Sequence, residues 1–157
     1  MSLLNKKSDK VRIMFVDEMN DLQSQIAEFF VKEMYEDRYS VQSAGPKFDY
    51  IDCELISVMY QLGNDIRAWN AKDFKYKNLD QTLDYIIFLE KETYDRIKDV
   101  IPWDAKHILM DFGRKENFEK ATDDKELYEC YCELIEKVRV WVKENFKDPA
   151  NLESLVI

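Results

Sequence analysis

Glycine and proline are scarce, with three of each in 157 residues, and histidine occurs once. So few turn formers exclude collagen-like, proline-rich and glycine-rich linker chains. Cysteine is scarce too. Cys53, Cys130 and Cys132 make an odd count without metal-type spacing, which excludes a disulfide scaffold and a zinc module. Cys130 and Cys132 lie two apart in a helical pattern and so face different sides. Basic charge is in deficit, with 23 Lys and Arg against 32 Asp and Glu and a formal net charge of -9. That argues against nucleic acid, whose phosphates need clustered cations, and against polyanionic substrates. No uninterrupted apolar run spans a bilayer, and the polar, basic start precedes no signal-type apolar core. No membrane association is expected, and the expected location is the cytoplasm.

What is present is a core. Hydrophobic residues make up 46% of the chain, including nine Phe, nine Tyr and three Trp, enough for one compact domain. Residues 1–10 read as a flexible tail, 11–146 as the domain and 147–157 as a second tail whose apolar ending, Leu155-Val156-Ile157, could dock on the domain or on a partner. VRIMFV at 11–16, YSVQS at 39–43, DYIIFL at 84–89 and KHILM at 106–110 are short apolar strands of the kind buried in parallel sheets. Helical spacing runs through Gln23–Tyr35, Asp52–Leu62, Glu92–Val100 and Lys125–Phe146. Gly63 is placed to stop the second helix, and Asp123-Asp124 to cap the last. Alternating strands and helices predict a parallel sheet with right-handed crossovers, whose sites form at the carboxyl ends of strands. The loop after the first strand is therefore the first candidate, and the long polar loop 111–122 the second.

The stretch VRIMFVDEMNDLQSQIAEFF resembles the signature of low-molecular-weight tyrosine phosphatases and the related thioredoxin-coupled arsenate reductases. There an apolar strand enters Cys-x-x-Asn-x-x-Arg-Ser and then a helix with Ala-Glu. Asn20, Ser24, Ala27 and Glu28 match, as do Ser43-Ala44-Gly45, Gly63-x-Asp65-Ile66 and DYIIFLEKE, in order, from about Val11 to Phe146. The resemblance implies a single α/β domain with a four-stranded parallel sheet, helices on both faces and flavodoxin-like topology.

The departures fall on the reactive positions. Asp17 stands where the family has its cysteine nucleophile, and Gln23 where it has the phosphate-clamping arginine. The degenerate phosphate loop is thus Asp17, Glu18, Met19, Asn20, Asp21, Leu22, Gln23 and Ser24. The general acid, an Asp-Pro in the family, falls in Asp111-Phe112-Gly113-Arg114-Lys115; Arg114 takes its place on the best alignment, with Asp111 close by. A phosphatase of this type needs a thiolate held by loop amides and a guanidinium fork for the phosphoryl oxygens. A carboxylate at 17, beside Glu18 and Asp21, opposes a dianionic substrate. The three cysteines lie away from the family's resolving positions. The resemblance therefore implies no intact catalytic set, and a binding or regulatory module that needs no cofactor.

Other readings stay open. Asp17, Glu18 and Asp21 could hold a hard cation, making a repurposed, metal-dependent hydrolase with Asp17 as nucleophile; the plainer reading is a solvated loop. Trp69, Phe74 and Tyr76 could line the pocket rim, or simply pack. FVDE also resembles the acidic turn of a receiver domain, but only Leu89-Glu90 stands where the phospho-accepting Asp should be. His107, within a strand, reads as structural. The partner is an unidentified protein or small ligand; a homodimer or a heterodimer with an active paralogue is also open.

Overall fold

The computed structural model describes residues 9–157. The expected N-terminal tail, 1–10, lies almost wholly outside the described residues. Four strands, β1 (Val11–Val16), β2 (Tyr39–Ala44), β3 (Tyr85–Phe88) and β4 (Lys106–Leu109), form one parallel sheet in the order β2-β1-β3-β4. Four α-helices connect and close it: α1 (Gln23–Tyr35), α2 (Cys53–Gln61), α3 (Lys91–Ile97) and α4 (Asp124–Asn145). The four-stranded sheet and the helices fall where the strand runs and helical periods predict.

Alternation along the strands divides the interior in two. Ile13, Phe15, Ile87 and Ile108 point to the face covered by α1, α2 and α4, where Ile26, Phe30, Leu55, Leu134 and Val138 meet them. Met14, Val16, Ile86 and Phe88 point to the other face, under Leu79, Leu83, Ile97 and Trp103. Caps set the helix ends. The Asp52 carboxylate accepts the Glu54 and Leu55 amides, and that of Asp123 accepts the Glu126 amide. Gly63, at φ +90°, ends α2 in left-handed backbone.

The C-terminal segment differs from the separate tail expected over 147–157. Pro149–Leu155 forms a 3-10 helix with Leu152 fully buried. Val156 then bridges Ile108 antiparallel, and the Ile157 amide donates to the His107 carbonyl at 3.1 Å. The apolar ending thus covers the outer edge of β4, an exposed edge being a site for unwanted strand pairing. His107 itself packs edge-on against Phe88 and Tyr94, and burial pushes its pKa down, as suits a structural residue.

Candidate functional site

Because β1 and β3 are neighbours while β2 and β4 flank them, the direction in which strands are added to the sheet reverses between β1 and β3, and a crevice opens at their carboxyl ends. Three connections meet there: loop 17–22 after β1, Glu90 after β3, and loop 110–123 after β4.

The loop after β1 is held from within. Asn20 adopts φ 53°, left-handed backbone that asparagine tolerates better than most residues. Its side chain is fully buried. Nδ2 donates to Ser24 Oγ and to Ser43 Oγ, both at 2.9 Å, and Oδ1 accepts the Lys72 amide at 2.8 Å. Ser43 in turn donates to Glu28 at 2.5 Å, and Glu28 pairs with Lys32 at 2.6 Å. Gly45 closes the arrangement from β2, so near the loop that a Cβ there would stand 2.5 Å from the Asp17 carbonyl oxygen. The matching residues Asn20, Ser24, Glu28 and Ser43-Ala44-Gly45 therefore preserve a shape.

The departing residues fill that shape differently. Asp17 is fully buried, and its Oδ2 accepts the amides of Ser24 at 2.9 Å and Leu22 at 3.3 Å. Leu22, the N-cap of α1, brings no capping side chain, and the first turn of α1 carries no acid. Asp17 supplies the negative charge that the helix N-terminus favours. Gln23 is equally buried, and its Nε2 donates to the Gly113 carbonyl, tying the first loop to the third. Arg114 reaches across from that third loop, with NH1 donating to Glu90 at 3.0 Å and NH2 to Asp21. Glu90 is 4% exposed and also accepts the Glu18 amide at 2.7 Å and the Thr93 hydroxyl. Glu18 pairs with Arg96 and accepts from Thr93. Met19 lines the cleft outside, and Asp111 accepts the Lys91 and Gly113 amides.

Three carboxylates, Asp17, Asp21 and Glu90, thus share one guanidinium. Burial pushes the Asp17 carboxyl up, the charge of Glu90 adds to this, and Arg114 only partly offsets it. Burial and Asp17 raise Asp21 against the pull of Arg114. Burial works against the Arg114 cation, but the charge of Asp17, the Asp21 bond and the charge of Glu90 outweigh it and hold the guanidinium charged. For Glu18, burial is outweighed by Arg96 and Thr93, and the carboxyl is lowered.

Asp17 fixes a pH dependence. A carboxyl with a higher pKa folded than unfolded binds more protons folded, so stability falls as pH rises from the unfolded value, near 3.8, to the folded one. Asp17→Asn keeps an oxygen for the two loop amides and removes that loss. The variant is expected to melt above the wild type at pH 7, with the gain shrinking as pH falls and vanishing below about pH 4. Thermal melts from pH 3.5 to 8 read the difference; curves that stay parallel would show Asp17 to be unperturbed.

Outside this base lies a cleft of about 770 Å³ whose lining carries eight carboxylates and four basic side chains. Lys91, Arg96 and Arg114, three of those four, are already in ion pairs. Two of the alternatives left open find no support in this geometry. Asp17, Glu18 and Asp21 do not converge on a cation position, because each is drawn to a different partner. Among the described residues, no group of three or more His, Cys, Asp or Glu is arranged to hold a metal ion. The aromatics, open between the pocket rim and packing, lie away from this cleft. Trp69 packs on Phe29 under Lys32, and with Tyr76 it lines a separate cleft of about 210 Å³; Phe74 packs edge-on against Trp103 in the second core. Glu90, Thr93 and Arg96 escaped sequence reasoning. The carboxyl-end rule for strands could have pointed to Glu90, next to β3, whereas Arg96 carries no local signal.

The family model for low molecular weight phosphotyrosine protein phosphatase matches residues 12–148. No curated protein matches the chain. Similar solved structures include an arsenate reductase in the phosphate binding state, 20% identical with a TM-score of 0.58 over 85% of this chain and 95% of that one. Vibrio vulnificus Wzb in complex with benzylphosphonate is 16% identical, with a TM-score of 0.61 over 85% and 98%. A low molecular weight protein tyrosine phosphatase from T. tengcongensis is 15% identical, with a TM-score of 0.61 over 86% and 99%. At such identities the likeness is one of fold. With the family match spanning sheet, loop and last helix, the receiver-like reading falls, and the chain belongs to the low-molecular-weight phosphotyrosine protein phosphatase family.

Proposed function

We propose that this chain is a catalytically inactive member of its family, a binding or regulatory module that kept the scaffold and lost the chemistry. The observation that carries the reading is the Asp17 carboxylate, buried in the loop and bonded to the Ser24 and Leu22 amides. Family chemistry uses a thiolate there, stabilised by the loop amides and the helix N-terminus, and a carboxylate capping that helix does not supply it. It also needs a free guanidinium fork for the dianion. Gln23 carries no charge, and Arg114, the cation at the base, already serves Asp21 and Glu90. A phosphoryl or arsenate dianion entering here would meet an excess of carboxylates in a partly dehydrated site, where repulsion is least screened. Arsenate reduction lacks its thiols too: Cys53 and Cys132 are on α2 and α4, and Cys130 is buried in α4.

The test is turnover of p-nitrophenyl phosphate by the purified chain, with and without Mg²⁺ or Mn²⁺, beside an Asp17→Ala control. The expected rate equals that of the control under every condition. A metal-dependent rate that disappears in the control would replace this reading with a repurposed hydrolase using Asp17.

A further inference from the structure

We propose that the separate cleft of about 210 Å³ beside α1 is a binding site for a small monocarboxylate carried on a flat apolar body, a benzoate-like acid. This site shares no lining residue with the larger cleft at the strand ends, so it holds whether or not the loop after β1 is inactive.

The charge of the cleft runs against that of the chain. The net charge is -9, yet here two ammonium groups, Lys32 and Lys72, stand against one carboxylate, Glu28. Glu28 is already engaged through both oxygens: one accepts from Lys32 at 2.6 Å and the other from the Ser43 hydroxyl at 2.5 Å. Lys72 has no such partner. Among the described residues its Nζ makes one hydrogen bond, to the Asn70 carbonyl at 3.1 Å, although the residue is half-buried. Burial pushes its pKa down, Glu28 restores it only in part, and Lys32 adds to the fall. A half-buried ammonium with N–H groups to spare calls for an acceptor, and best for a charged one. Two cations less one anion leave a single positive charge, which a monoanion neutralises and a dianion overshoots.

The walls select the body that carries the charge. Ala68, Trp69 and Tyr76, the last 42% exposed, offer apolar and aromatic surface. Trp69 is set in place before any ligand arrives, with the Phe29 ring 5.9 Å away and Lys32 Nζ 4.8 Å from its centroid. The volume suits one ring with its carboxylate and is too small for a peptide segment or a nucleotide. The floor is also joined to the loop after β1. The Lys72 amide donates to Asn20 Oδ1 at 2.8 Å, and Gln25 Nε2 donates to the carbonyls of Asn20 and Asn70 at 2.8 and 3.3 Å. Fixing Lys72 is therefore felt at Asn20.

The probe is sodium benzoate, titrated into the purified chain and read by NMR at the Trp69 indole and the amides of Ala68, Asn70 and Lys72. Benzamide lacks the charge, acetate lacks the ring, phenylphosphonate adds a charge, and sodium chloride matches ionic strength. Benzoate is expected to shift these signals and the Asn20 amide saturably, with the millimolar Kd of so small a ligand. Benzamide and acetate should bind at least about tenfold more weakly, and phenylphosphonate no better than benzoate. Lys72→Met keeps the stem, loses the charge and should bring benzoate down to the level of benzamide. Shifts no larger than those from sodium chloride, benzamide binding as tightly as benzoate, a preference for phenylphosphonate, or undiminished binding by Lys72→Met would each overturn the proposal. Should Lys72→Met fail to fold, Tyr76→Ala, at an exposed ring, decides: it should weaken benzoate and leave acetate as it was, and an unchanged benzoate affinity would count against the site.

Discussion

Arg114→Ala is expected to destabilise the domain by about 3 kcal/mol, the lower end of the range for removing one partner from a buried ion pair. The lower end applies because the Arg114 side chain is 27% exposed and solvent screens part of the effect. What is lost is less an attraction than a compensation. With the guanidinium gone, Asp17, Asp21 and the 4%-exposed Glu90 face one another across the crevice. For a domain of this size that stability corresponds to a fall in Tm of roughly 6–12 °C. Adding Glu90→Gln to Arg114→Ala should recover part of the loss, because it removes one of the stranded charges while keeping an acceptor for the Glu18 amide. Thermal melts of the two variants and their combination test this. A strictly additive double variant would mean that Arg114 and Glu90 do not interact.

Gly45→Ala is expected to cost up to about 3 kcal/mol, the range for forcing a methyl group into a packed site. The new Cβ would stand 2.5 Å from the Asp17 carbonyl and 3.0 Å from both the Asn20 nitrogen and the Glu18 carbonyl. All three are backbone atoms, so no side chain can swing away. The other side is pinned as well: the Gly45 amide donates to the Lys72 carbonyl at 3.0 Å, and Gly45 bridges Asp73. Relief must come from the loop, which would loosen the hold of Asp17 on the Ser24 and Leu22 amides. Hydrogen exchange at Leu22 and Ser24 should accelerate more than exchange in α4, which is remote from the contact. Unchanged melting and exchange would mean that the loop yields freely.

Much of the fold was legible because it is written locally. Val11–Val16 is a run of apolar and β-branched residues broken only by Arg12, and such a run is stable when covered on both faces. Gln23–Tyr35 carries Ile26, Phe30 and Met34 at helical spacing, and the helix has those bounds. The stretch from Asn64 to Asp84 has no period, so where Trp69, Phe74 and Tyr76 point depends on contacts with Phe29 and Trp103, far along the chain. Residue order therefore left open whether they line the rim or pack. The docking place of the C-terminal residues was open for a related reason: a short apolar ending does not name its receiver until the edge of β4 is there to take it.

By itself the sequence determined the order of strands and helices and pointed to the loop after β1 as the site. Those are matters of side-chain period and of strand–helix alternation, which need no partner to be read. Only the tertiary structure decided what the loop does with its charges. Arg114 meets Asp21 across 93 residues and Glu90 across 24, and Asp17 turns inward to cap α1. Electrostatic energy depends on distance and burial, and both come into being only when the carboxyl ends of β1, β3 and β4 are brought side by side.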